Sequence, residues 1–96
     1  MNKQGIIHTI KTEKPYLQSE FGVKEIALFG SYARGLEQQG SDVDILVDLE
    51  KPSYSALMGV YIYLEKKLNA KVDIIRKGTH LSDKFLNQIS KDLIYV

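Results

Sequence analysis

Gly30-Ser31 ends an apolar run and opens the stretch Gly30-Ser31-Tyr32-Ala33-Arg34-Gly35; Ser41-Asp42-Val43-Asp44 follows a short polar loop later. A glycine lets the backbone approach a phosphate closely, and Ser31 offers both a hydroxyl and an amide to it. Asp42 and Asp44 are separated by one residue, so on an extended segment their carboxylates point the same way. Such a pair suits Mg²⁺, which takes hard oxygen ligands and shares its shell with substrate phosphates. Asp73 is a third candidate ligand, beside the acceptor oxygen, where it could help deprotonate that oxygen. Two ions about 3.5–4 Å apart stabilise the attacking and leaving oxygens of an in-line displacement. Arg34, one turn beyond Ser31, could pair with a phosphate or an acidic neighbour. A phosphate-holding turn opposite metal-binding carboxylates is the minimal apparatus for moving a nucleotidyl group.

The surrounding elements must bring these residues together. Ile6, Ile10, Leu17 and Phe21 are spaced as in a helix over residues 6–21, which Pro15 either kinks or opens at its first turn, and Gly22 punctuates its end. Val23 to Phe29 reads as a strand, and Ser31 to Leu36 as a short helical turn. Asp42 to Leu49 alternates: Val43, Ile45, Val47 and Leu49 share one face, and Asp42, Asp44, Leu46 and Asp48 the other. Leu57, Tyr61, Leu64 and Leu68 predict a helix from Tyr54 to Asn69. Lys71 to Arg76 reads as a third strand. Ser82 caps a last helix with the stripe Phe85, Ile89 and Leu93, and Leu86 beside it. The expected order is α-β-β-α-β-α.

Connection lengths set the geometry. A crossover helix between the second and third strands favours a parallel pair, which puts Asp42, Asp44 and Asp73 at one end of the sheet. The short loop between the first and second strands favours an antiparallel pair, which returns Gly30-Ser31 to that same end. Asp48 shares the acidic face but lies about 13 Å beyond Asp44 at ~3.3 Å per residue, too far for the same ion. Arg76 and Lys77 fall at the far end of the third strand. A Gly-Ser turn, an Asp-x-Asp or a lone Asp is ordinary on its own; the conjunction carries the signal. Tyr61 is assigned to the core and Tyr63 to the surface or a partner contact, while His8 and His80 have no visible companions.

Composition narrows the alternatives. The 96 residues are 44% hydrophobic and 26% charged, which suits one modest folded domain spanning residues 1–96. A formal net charge of +1 gives no global field favouring nucleic acid or a membrane surface. The absence of cysteine excludes disulfides, thiolate zinc sites and cysteine nucleophiles. No signal-peptide h-region or membrane-length apolar run is visible, so a cytoplasmic location is expected.

The motif Gly30-Ser31-Tyr32-Ala33-Arg34-Gly35 with Ser41-Asp42-Val43-Asp44-Ile45-Leu46-Val47-Asp48 resembles the signature of the DNA polymerase β-like nucleotidyltransferase superfamily. With Val23–Phe29 before it and Lys71-Val72-Asp73 after the crossover helix, the chain is similar to the minimal nucleotidyltransferase (MNT) proteins. The resemblance implies an α+β fold like the polymerase palm, with a mixed sheet of three or slightly more strands flanked by helices. It implies catalytic, metal-holding carboxylates at Asp42, Asp44 and Asp73, and nucleotide binding by Gly30 and Ser31. It further implies transfer of AMP from ATP, with Mg²⁺, to a tyrosine hydroxyl of a HEPN-domain toxin for which the chain acts as antitoxin, and allows an oligomer in complex with that partner. Larger relatives carry a separate acceptor-selecting domain, so here the acceptor is expected to be presented by another molecule. A non-catalytic antitoxin that covers its partner, and a transferase with a small-molecule acceptor, are the alternatives.

Overall fold

The computed structural model describes residues 1–96. Helix α1 (Lys3–Phe21) starts where the Asn2 side chain accepts a hydrogen bond from Gly5 N at 3.0 Å, and ends at Gly22, whose left-handed backbone (φ 70°) only glycine adopts without strain. Pro15 neither opens nor breaks it. The residue sits on the exposed side, where a carbonyl deprived of its helical partner can take water instead.

Strand β1 (Val23–Phe29) leads into the one-turn helix α2 (Gly30–Arg34), and a polar loop leads to β2 (Val43–Leu49). Helix α3 (Tyr54–Leu68), capped by the Ser53 hydroxyl, crosses over to β3 (Val72–Arg76). Helix α4 (Asp83–Ser90), capped by Ser82 as its sequence predicts, is followed by β4 (Ile94–Tyr95). The four strands form one mixed sheet in the order β3-β2-β1-β4. As expected, β1 and β2 are antiparallel and β2 and β3 parallel.

Two details depart from the expected α-β-β-α-β-α order. The last helix stops at Ser90, leaving Leu93 outside it, and Ile94–Tyr95 form a fourth strand antiparallel to β1 at Ala27 and Leu28. Two residues are too few to display an alternation in sequence, and their pairing depends on a distant partner. Strand β2 also starts at Val43, which leaves Asp42 at its threshold.

The alternation in β2 divides the molecule. Val43, Ile45 and Val47 are fully buried with Ile6, Ile10 and Leu17 of α1 and Val60, Leu64 and Leu68 of α3. On the opposite face Leu46 packs with Ala27, Phe29 and Ile89, flanked by Phe85 and Leu93, so α4 covers that part of the sheet. Each fully buried aliphatic side chain contributes about 1.5–3 kcal/mol. The acidic residues share this second face with Leu46, and no buried polar or charged residue interrupts either core.

Candidate functional site

Strand register builds the site. Phe29, the last residue of β1, lies opposite Asp44, and Asp44 lies opposite Asp73 across the parallel β2–β3 pair. Neighbouring strands are about 4.8 Å apart, so Asp44 and Asp73 are level and adjacent. Asp42 precedes Asp44 by two residues and completes an acidic corner. Arg76 pairs with Val47, well along the sheet from this corner, as the sequence predicts.

Gly30 follows Phe29 directly and closes the corner from the β1 side. Its φ of +75° lies in the left-handed region. A Cβ placed there would overlap Asp44 Oδ2 and stand 2.9 Å from its Cγ and 3.0 Å from its Cβ. The Gly-Ser turn and the middle carboxylate are therefore in contact, and only glycine fits between them. Ser31 is half-buried at the start of α2, and Phe29, the residue preceding that turn, supplies no side chain to cap its amides. Gly35 (φ 70°) ends the turn and accommodates its left-handed exit.

Electrostatics mark the same residue. Burial pushes the Asp44 carboxyl above the usual range for an aspartate, repulsion from Asp73 and then Asp42 adds to this, and the Arg34 guanidinium opposes it. Arg34 itself is half-exposed and pairs with Asp92, beyond the end of α4, at 3.4 Å. An exposed pair of this kind contributes little, roughly 0–1 kcal/mol, so the guanidinium is free to exchange this partner for another anion. Asp73 is exposed.

The donor set fits a divalent cation in kind: hard carboxylate oxygens on neighbouring backbone positions, whose mutual repulsion at Asp44 is offset by Arg34 only in part. It does not form a closed cage, since no group of three or more acidic or imidazole side chains is drawn together closely enough to hold an ion unaided. A cation here would complete its shell from substrate, which is the usual habit of Mg²⁺. The corner is also open. The surface concavities lie elsewhere, one along α4 at Lys84, Asn87, Gln88 and Lys91, another beside Asp48 and Lys77.

Two residues behave differently from their sequence reading, and a third keeps its place but adds a contact. The Tyr63 ring stacks on Tyr16 at 4.5 Å, and its hydroxyl donates to Glu13, which pushes its ionisation up to about 12. His80 has a companion, with Nδ1 3.2 Å from Arg76 Nη2. Tyr61 packs against the core, but its hydroxyl reaches the backbone of β3 at Ile74. No helix is long and apolar enough to cross a membrane.

Residues 10–96 match the family model described as a nucleotidyltransferase domain. The chain is 39% identical over 88 residues to the protein adenylyltransferase MntA of Thermococcus cleftensis, covering 91% of this chain and 88% of that one. A solved protein inferred to be a minimal nucleotidyltransferase superposes with a TM-score of 0.80 at 25% identity, over 98% of this chain and 95% of the other. A chain from the complex of a tri-AMPylated Shewanella oneidensis HEPN toxin with MNT antitoxin shares the fold, with a TM-score of 0.59 at 22% identity over 98% of this chain and 67% of that one.

Proposed function

Because this chain belongs to the nucleotidyltransferase domain family, we propose that it transfers AMP from ATP to a tyrosine hydroxyl of a HEPN-domain toxin and so acts as that toxin's antitoxin. One observation carries the catalytic part of this reading. The strand register aligns Phe29, Asp44 and Asp73 across three strands, with the Gly30-Ser31 turn in contact with the central carboxylate. The named activity of the Thermococcus relative supports the choice of a protein acceptor, and the AMP-modified toxin of the Shewanella complex supports the choice of partner.

In this scheme Gly30 and Ser31 receive the triphosphate, with Ser31 donating its hydroxyl and amide to phosphate oxygens. Arg34 leaves Asp92 to pair with phosphate charge. Asp42 and Asp44 would hold Mg²⁺ on the nucleotide, and Asp73 with them a second ion next to the acceptor. Bound magnesium supplies charge neutralisation for the triphosphate and for the oxygens entering and leaving phosphorus. The phenolic oxygen attacks the α-phosphorus of ATP as the bond to the bridging β-phosphate oxygen breaks. The phenolic proton passes to Asp73 or to water, and pyrophosphate departs. Rate enhancement comes chiefly from positioning and charge stabilisation. The open corner suits an acceptor presented by a folded partner rather than one enclosed in a pocket.

The test uses the full chain, labelled ATP, Mg²⁺ and a HEPN-domain protein, taken from a neighbouring reading frame if one is encoded there. Label is expected on a tyrosine of the partner, with loss of its toxicity. The double variant Asp42→Asn with Asp44→Asn should neither label nor neutralise. Neutralisation by that variant would replace this reading with a purely binding antitoxin, and label appearing only on small hydroxylated molecules would replace the acceptor.

A further inference from the structure

Of the three aspartates, only Asp73 lies on an edge strand. Strand β3 has β2 on one side and no strand on the other. Along a strand, backbone amides point alternately to either side, so every second residue of β3 faces away from the sheet. The two outward amides that flank Asp73 belong to Val72 and Ile74, and both are taken by side chains of α3. Val72 N donates to Glu65 Oε2 at 3.1 Å. Ile74 N donates to the Tyr61 hydroxyl at 2.9 Å, and that hydroxyl donates to the Ile74 carbonyl at 3.2 Å. Glu65 and Tyr61 are four residues apart on one face of the helix, at the spacing that places side chains side by side. The exposed Asp73 side chain is thus placed by its backbone, and that backbone is held from the outside immediately before and after it.

We propose that Tyr61 and Glu65 are positioning residues for Asp73, keeping its carboxylate level with Asp44; the inference rests on the catalytic reading given above. Blunting an edge against unwanted strand pairing is a general need, but it does not explain why both side chains act on the two residues bracketing the acidic one. Without the Tyr61 hydroxyl, Ile74 loses a partner for both its N–H and its C=O. Beyond Glu65's hold on Val72, the strand is then tied only through β2, and Asp73 is freer to drift from the register that matches it to Asp44.

The experiment compares wild type with Tyr61→Phe, Glu65→Gln and Glu65→Ala in the transfer assay, each checked for folding by circular dichroism. Misplacement by about 1 Å can cost 10²-fold in rate, so a partial loss of roughly tenfold in kcat is expected for Tyr61→Phe and Glu65→Ala. The Mg²⁺ concentration for half-maximal rate should rise several-fold while the KM for ATP changes little, because Asp42, Asp44 and the Gly-Ser turn remain in place. Glu65→Gln keeps an acceptor oxygen for Val72 N and should retain near-wild-type kcat. Hydrogen exchange supplies a readout independent of activity: the Asp73 and Ile75 amides should exchange faster in Tyr61→Phe than in wild type. A folded Tyr61→Phe with wild-type kcat, magnesium dependence and exchange would overturn the inference, as would Glu65→Gln being as impaired as Glu65→Ala. If Tyr61→Phe does not fold, the Glu65 pair decides. A wild-type chain that transfers nothing refutes the catalytic reading instead, and the exchange experiment still judges the clamp.

Discussion

Replacing Gly30 by alanine probes the contact at the centre of the site, and Gly35→Ala provides its control. Both glycines have nearly the same left-handed backbone, at φ +75° and +70°. An alanine in that region costs about 1–2 kcal/mol at either position. Their surroundings differ: a Cβ at Gly35 meets nothing within 4 Å, whereas at Gly30 it overlaps Asp44. Rotating the Asp44 carboxylate aside would free its oxygens but not its own Cβ, 3.0 Å away, so β1 and β2 must shift at the corner. Overpacking of this kind adds about 1–3 kcal/mol. For a domain of this size 1 kcal/mol corresponds to about 4–8 °C in Tm. Gly35→Ala should therefore melt several degrees below wild type and Gly30→Ala roughly twice as far below. The transfer rates should separate further, with Gly35→Ala near wild type and Gly30→Ala reduced by about 10²-fold through displacement of Asp44. Thermal melts and initial rates of label transfer read both quantities. Equal activity in the two variants would show that contact between the turn and Asp44 has no part in catalysis.

Asp44→Asn should stabilise the protein at pH 7 in the presence of a chelator, even as it abolishes transfer. The folded carboxyl is held above its ordinary value, so the folded chain binds that proton more tightly than the unfolded one. The resulting stability is present in acid, is lost as pH rises from the ordinary aspartate range through the folded value, and is absent at neutrality. Melts from pH 3 to 7 should show the variant's advantage growing with pH; an advantage that stays flat, or a less stable variant at pH 7, would contradict the cause assigned. Tyr63 shifts in the same direction at the alkaline end: stability should fall between pH 10 and 12, and an ultraviolet titration should lose a late-ionising phenol in Tyr63→Phe. Gly59→Ala should lower Tm although alanine favours a helix by about 1 kcal/mol, because its Cβ would press to 2.7 Å from Cδ1 and 3.1 Å from Cζ of Phe21; a raised Tm would mean that the ring has room to yield.

Much of the site was legible because its signals are local. The period-two pattern of β2 put Asp42, Asp44, Leu46 and Asp48 on one face, and the crossover helix made the β2–β3 pair parallel, which brought Asp73 level with Asp44. Contacts that depend on tertiary approach were not legible. Strand β4 exists because Val96 N and its neighbours meet β1, and nothing in Leu93-Ile94-Tyr95 distinguishes a short strand from a fraying helix end. Tyr61 satisfies a helical apolar stripe whether or not its hydroxyl finds Ile74. Pro15 sits within a helix that its surroundings sustain, although local propensity argues for a boundary.

The placement of the carboxylates is also protected by the core. Because side chains alternate along a strand, sliding β2 by one residue would exchange its two faces. Ile45 and Val47 would leave the α1–α3 core, and Asp44 and Asp48 would enter it. Burying even one unpaired carboxylate costs several kcal/mol, a large part of the ~5–15 kcal/mol that holds such a domain together. Leu46 adds a second constraint, since it lies between the two aspartates on their face and packs with Ile89 of α4. The register that aligns Asp44 with Asp73 is therefore the one that keeps both cores apolar. A pairing that misplaced the acidic corner would also fail to fold, so the fold itself sets the accuracy of β2. Strand β3 has no such double constraint around Asp73. Its neighbours Val72 and Ile74 face the core, but its outer edge has no strand, and there the backbone is held by Tyr61 and Glu65.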